Sequence, residues 1–165
     1  NLEKEIDIQL GTLSKSLGSV GGYVAANSTI IDYLVNTSRS FIFSTALSPA
    51  DIGAALAALQ VLESDASVLQ RLHENVNYMA DQLLSIGVDA TNETPIFPIL
   101  IGRNEDTLAV SHYLYEAGII GTAIRPPTVP IGESRIRLTV TAAHNKEQID
   151  YVCQSLHKAM KQLDS

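Results

Sequence analysis

Cysteine is almost absent: Cys153 is the only one in 165 residues. A single thiol excludes an internal disulfide and a zinc cluster built from cysteines. Its neighbours predict a C-terminal helix, which makes it a structural thiol. Histidine is sparse as well. His73, His112, His144 and His157 lie far apart, with no HxH or HxxxH spacing, so no metal centre is expected. His144 or Asn145 is the expected cap of a final helix, and His144 reads as a capping or packing residue. Positive charge is short: 11 Lys and Arg face 18 Asp and Glu, a net charge of −7, and the basic residues form no cluster. No basic stripe is available for a phosphate backbone, so nucleic acid is not an expected partner. No run reaches the roughly 18 apolar residues of a membrane span, and no secretory leader is evident. No membrane partner is expected, and the cytoplasm is the expected compartment.

What is present suits a soluble globular chain: 45% hydrophobic and 18% charged residues, enough apolar material for a core. The length fits one domain, or a small domain attached to a piece of another. Strands are expected at 6–12 and 20–26 from alternation that ends in glycine. A helix capped by Asn27 or Ser28 follows to about Asn36, then a short strand at 41–45. Ser48-Pro49 starts a helix that runs to about Leu62, and a longer one covers 66–85 with Leu69, Leu72, Val76, Met79, Ala80 and Leu83 on its apolar face. Gly87 ends it. Residues 95–101 read as a strand, with Pro98 favouring an edge. A helix over 104–117, strands at 119–124 and 135–141, and a helix over about 146–163 complete an α/β pattern. Residues 1–64 read as part of a larger α/β domain, 65–87 as a connecting helix and 88–165 as a small α/β domain.

The run Gly11-Thr12-Leu13-Ser14-Lys15-Ser16-Leu17-Gly18, followed by Gly21-Gly22-Tyr23-Val24, isolates one lysine among small residues between two strands. Three readings stand side by side. Lys15 is a solvated loop lysine, or the end of a phosphate loop, or a lysine whose amine forms a Schiff base. Lys15-Ser16 matches the end of a phosphate loop, but Ser14 stands where that motif needs glycine, and the earlier glycine spacing also fails. For the third reading, small neighbours leave room for a flat cofactor, and a desolvated or electropositive setting makes the amine nucleophilic.

This stretch resembles the cofactor-lysine motif of the α-oxoamine synthases, which are fold-type I enzymes that use pyridoxal 5′-phosphate. Phe43-Ser44-Thr45-Ala46-Leu47-Ser48-Pro49 is similar to the family's loop at the phosphate site of the neighbouring subunit. The segment from Ala123-Ile124-Arg125-Pro126-Pro127-Thr128-Val129-Pro130 through Arg135-Ile136-Arg137-Leu138-Thr139 to Ala142-Ala143-His144 resembles the biotin-forming branch. The resemblance covers nearly all of the chain. It implies an aspartate-aminotransferase-like α/β fold, part of the large cofactor domain followed by the small C-terminal domain.

It also implies roles. Lys15 would hold the cofactor and Thr12 would bond its phosphate region. Ser44 and Thr45 would serve the phosphate of a partner subunit in a homodimer. Arg137 would bind the amino-acid carboxylate, and Arg125 would engage a carboxylate during catalysis. Arg135 shares the strand face of Arg137 and reads equally as structural. The implied reaction condenses an amino acid with an acyl-CoA or acyl-carrier thioester, with loss of carbon dioxide. For the biotin branch the pair is L-alanine and a pimeloyl thioester. The other members, 2-amino-3-ketobutyrate ligase, 5-aminolevulinate synthase and serine palmitoyltransferase, are alternatives, as is a non-catalytic dimerisation domain. Family members are well over twice this length, and their ring-stacking residue and pyridine-facing aspartate lie upstream. This chain alone is therefore expected to turn over little.

Overall fold

The computed structural model describes residues 2–163 and divides the chain into two compact units, Asn1–Ala66 and Ser67–Ser165. The first is built on a hairpin of β1 (Ile8–Thr12) and β2 (Gly22–Ala26), antiparallel, with Thr12 opposite Gly22 and Gly11 opposite Tyr23. The second strand starts later than expected because Gly21 has φ +113°, outside any extended conformation. Helix α1 (Ser28–Thr37) begins at Asn27, whose side chain accepts from Ile30 N at 3.0 Å. Helix α3 (Pro49–Ser64) begins at Ser48, which accepts from Asp51 N at 3.2 Å, with proline in the first turn.

The expected strand at 41–45 is not formed. Residues Arg39–Ile42 make a short helix, α2, and 43–45 follow it without regular structure. The amides of Phe41 and Ile42 donate to Ser38 O, and that of Phe43 to Arg39 O. The Arg39 guanidinium lies over the Phe43 ring, 5.6 Å from its centroid. A strand needs a ladder partner, and these local bonds satisfy the backbone without one.

The second unit holds nearly all of the core. Its sheet has the order β3-β5-β4, all antiparallel, from β3 (Ile96–Gly102), β4 (Thr122–Ile124) and β5 (Ser134–Thr139). Pro98 lies on β3, an edge strand as its missing N–H favours. β4 is shorter than expected because the amide of Ile119 closes the preceding helix, α5 (Asn104–Glu116), by donating to Leu114 O at 2.8 Å after Gly118 turns at φ +76°.

The inward residues Phe97, Ile99, Ile136 and Leu138 join Val110 and Leu114 of α5, Val76, Met79 and Leu83 of α4 (Ala66–Ser85), and Ile149 and Leu156 of α6 (Lys146–Lys161) in one buried cluster. α4 is thus part of this unit's core, although Leu69 on its expected apolar face stays exposed. Asn145 opens α6 with a reciprocal cap: its side chain accepts from Gln148 N at 2.8 Å, and Gln148 Oε1 accepts from Asn145 N at 3.0 Å. His144 instead accepts the amide of Thr141 through Nδ1. Cys153 is buried against Met79, and burial, helped by the Asp150 charge, pushes its thiol up to about 11 from 9.0. Among the described residues no single helix is long and apolar enough to cross a membrane.

Candidate functional site

The hairpin positions Lys15. Thr12 ends β1, and Leu13 N donates to Gly21 O at 2.9 Å, closing the base of the loop that carries the lysine. Within the loop, Ser19 N donates to Leu13 O and Gly18 N to Lys15 O, so Lys15 starts a tight turn that Gly18 completes at φ +58°. The Thr12 hydroxyl faces inward on this loop: it lies 3.3 Å from Gly21 O and 2.8 Å from Ser14 Oγ, and it accepts from Ser14 N. Lys15 itself is exposed and takes no part in an ion pair among the described residues. Ser14 and Ser16 flank it in the loop.

Glycines are needed beneath this loop because the backbones crowd. A Cβ on Gly22 would lie 2.8 Å from the carbonyl oxygen of Gly11, and one on Gly11 would strike the Tyr23 ring. The ring of Tyr23 therefore covers its cross-strand partner. Beside it a concavity of about 840 Å³ opens between the hairpin and α1–α2, lined by Leu10, Thr12, Tyr23, Val24, Leu34 and Phe41. Thr12 is the point where this apolar hollow meets the polar lysine loop.

Ser44 and Thr45 lie in the exposed segment between α2 and α3 of the same unit, the Ser44 hydroxyl donating to Thr45 O at 3.1 Å. The lysine loop meets α3 once and the segment before it once. The Ser19 hydroxyl donates to Asp51 O at 2.6 Å, and a Cβ on Gly21 would lie 2.8 Å from Leu47 Cδ1. Ser19 was not marked by periodicity or motif, since its partner is 32 residues away.

The arginines belong to the second unit. Arg137 lies on the outward face of central strand β5, between Pro98 of β3 and Thr122 of β4. It is exposed, with no ion pair among the described residues. Arg135, between Leu100 and Ile124 on the same face, is occupied: it donates to Glu133 O and forms a 2.9 Å ion pair with the Glu133 carboxylate. Arg125 follows β4 and is exposed, entering a loop whose Pro126–Pro127 bond is cis. Two guanidinium groups are thus open to an anionic ligand, and the third is held by the chain itself.

These lysine and arginine settings suit a carbonyl cofactor with a phosphate and a substrate with a carboxylate. Comparison with known proteins points the same way. Residues 1–156 match the family described as aminotransferase class I and II. The 8-amino-7-oxononanoate synthase of Thermoanaerobacter pseudethanolicus is 42% identical over 165 residues, 99% of this chain and 42% of that protein. That of Geobacter metallireducens is 46% identical over 148 residues, 88% of this chain and 38% of that protein. Among solved structures, SPT with a pyridoxal phosphate internal aldimine superposes with TM-score 0.93 at 26% identity, over 99% of this chain and 42% of that one. The 8-amino-7-oxononanoate synthase of Francisella tularensis superposes with TM-score 0.83 at 25% identity, over 96% and 47%. The chain spans about two-fifths of the length of the curated relatives it matches. It belongs to the aminotransferase class I and II family.

Proposed function

We propose that the protein carrying this chain condenses an amino acid with an acyl thioester, with loss of carbon dioxide, using pyridoxal 5′-phosphate held by Lys15. The observation that carries the reading is a lysine with no ion-pair partner among the described residues, on a turn closed by Gly18, in a chain 42% identical to an 8-amino-7-oxononanoate synthase. The substrates that fit best are L-alanine and pimeloyl-CoA or a pimeloyl carrier protein. The product is then 8-amino-7-oxononanoate, an intermediate of biotin synthesis, made by a cytoplasmic homodimer.

The residues fit the cofactor chemically. Lys15 Nζ is a primary amine with no ion pair to break among the described residues, and Thr12 supplies a hydroxyl for the phosphate. Bound there, pyridoxal phosphate supplies an electron sink for negative charge at the substrate Cα. Lys15 Nζ would take the proton from the substrate Cα and later return one. Arg137 binds the substrate carboxylate and fixes its orientation, and Arg125 engages a carboxylate as the reaction proceeds. The Cα–acyl carbon bond forms as the thioester C–S bond breaks and the thiol leaves. The original carboxylate then departs as carbon dioxide. Ser44 and Thr45 serve the phosphate bound to the partner subunit.

A second reading is favoured by one observation: the backbone superposes better on SPT, at TM-score 0.93, than on the Francisella synthase, at 0.83. In that case serine and a long acyl-CoA replace alanine and the pimeloyl thioester. Incubation with pyridoxal phosphate, borohydride reduction and peptide mapping test the shared part. Selective phosphopyridoxylation of Lys15 is expected, and its absence in the folded full-length protein overturns the reading. A panel of alanine, serine and glycine against pimeloyl and palmitoyl thioesters then separates the two substrate assignments.

A further inference from the structure

We propose that Ser19 is a positioning residue for Lys15: its hydroxyl, donated to the backbone carbonyl of Asp51, clasps the lysine loop to the first turn of α3 and so holds Lys15 in place for the cofactor. The inference rests on the reading of Lys15 as the cofactor lysine.

Burial is the first observation. Among the described residues 2–66 only Ser19 and Ala55 are buried, and Ala55 lies one helical turn beyond Asp51. A serine in a surface loop is ordinarily hydrated, so a buried one that spends its hydroxyl on another segment marks a built contact. The bond is short, 2.6 Å. Its donor has a single heavy-atom rotor, so little side-chain entropy opposes it.

The second observation is the rigidity of what lies on either side. Toward the lysine, Ser19 N is held by Leu13 O, and the Lys15–Gly18 turn fills the space between. On the helix side, Asp51 is fixed by Ser48: Asp51 N donates to Ser48 Oγ, and Ser48 Oγ donates to Asp51 Oδ2 at 2.6 Å. The lysine loop is thus tied to the start of α3 through short turns and named hydrogen bonds, with the Ser19 hydroxyl bridging the two segments. Gly21, packed on Leu47, supports the same seam from beneath. Without the clasp, the loop must be ordered at the moment the cofactor binds, and affinity falls by that ordering cost.

The test compares wild type, Ser19→Ala, Ser19→Thr and Lys15→Ala in the full-length protein. Three readouts are taken: the Kd for pyridoxal phosphate, the fraction of Lys15 labelled by borohydride at subsaturating cofactor, and Tm. Loss of one net hydrogen bond predicts that Ser19→Ala weakens cofactor binding roughly three- to tenfold. Lys15 labelling should fall in parallel, and Ser19→Thr, which keeps the hydroxyl, should restore both. Wild-type affinity and labelling in Ser19→Ala overturn the clasp. So does a lowered Tm with unchanged affinity, which makes Ser19 a structural residue only. If wild type itself is not labelled at Lys15, the reading of the lysine falls and the clasp falls with it. Labelling that is normal in wild type and indifferent to Ser19 removes the clasp alone.

Discussion

Replacing one glycine by alanine at two positions should move stability in opposite directions. In β2, a Cβ on Gly22 would sit 2.8 Å from the carbonyl oxygen of Gly11, and ordinary contact begins at 3.4 Å, so about 0.6 Å must be found. The obstacle is backbone on the paired strand, which cannot rotate away as a side chain can. Gly22→Ala therefore has to spread β1 from β2 beside Thr12, and overpacking of this kind costs roughly 1–3 kcal/mol. Gly53 lies inside α3 with nothing within 4 Å of its added Cβ. Gly53→Ala should stabilise by about 0.5–1 kcal/mol through helix propensity and lost chain entropy. The chain has no tryptophan, so urea unfolding is followed by circular dichroism. Cofactor is left out, since binding would mask the change. Spreading the hairpin also displaces the Thr12 hydroxyl, so Gly22→Ala should lose cofactor affinity while Gly53→Ala keeps it. Equal stabilities for the two variants, or a Gly22→Ala protein that binds cofactor normally, would refute the steric argument.

Further expectations concern the second unit. Arg137→Ala should raise KM for the amino acid roughly 10- to 100-fold, the scale of a lost charge-assisted hydrogen bond, with cofactor Kd unchanged. Arg135→Ala should change KM far less, because Glu133 already holds that guanidinium. Leu156→Ala, at a fully buried position, should cost about 2–5 kcal/mol in urea unfolding. Cys153 should resist alkylation at pH 8 in the native protein and react on unfolding. Its thiol stays neutral in the folded state up to about 11, whereas the unfolded thiol ionises near 9. This group's contribution to stability is therefore fully present below pH 9 and is lost between about 9 and 11. A midpoint urea concentration that rises over that interval in wild type relative to Cys153→Ala would contradict the sign.

Helices with strong ends were legible in the sequence. α4 runs from Ala66 to Ser85 as its apolar spacing and Gly87 indicated, and Ser48-Pro49 and Asn145 open their helices through local bonds that involve only near neighbours. The 41–45 segment was misread because Phe-Ile-Phe-Ser-Thr has strand composition, whereas a strand is decided by a partner elsewhere in the chain. In the site, Lys15 and Thr12 were visible because glycine punctuation is local. Ser19 was not, because a hydrogen bond across 32 residues leaves no periodic trace. The difference between Arg135 and Arg137 was likewise hidden: both face outward, and only the placement of the Glu133 carboxylate separates the occupied arginine from the open one.

The central place of β5 limits how this part of the protein can change in length. The strand is bonded on both sides, with Ile136 and Leu138 turned inward and Arg135 and Arg137 outward. Side chains alternate, so removing one residue within it would carry the arginines into the apolar core or break two ladders at once. Removing two would preserve the alternation but take a whole row of the sheet. Natural variants that gain or lose single residues here should therefore place them in 125–133, where the chain between β4 and β5 can absorb a change of phase. A guanidinium presented from a doubly paired strand is in this way protected from drift in position, even while the residues around it vary in kind.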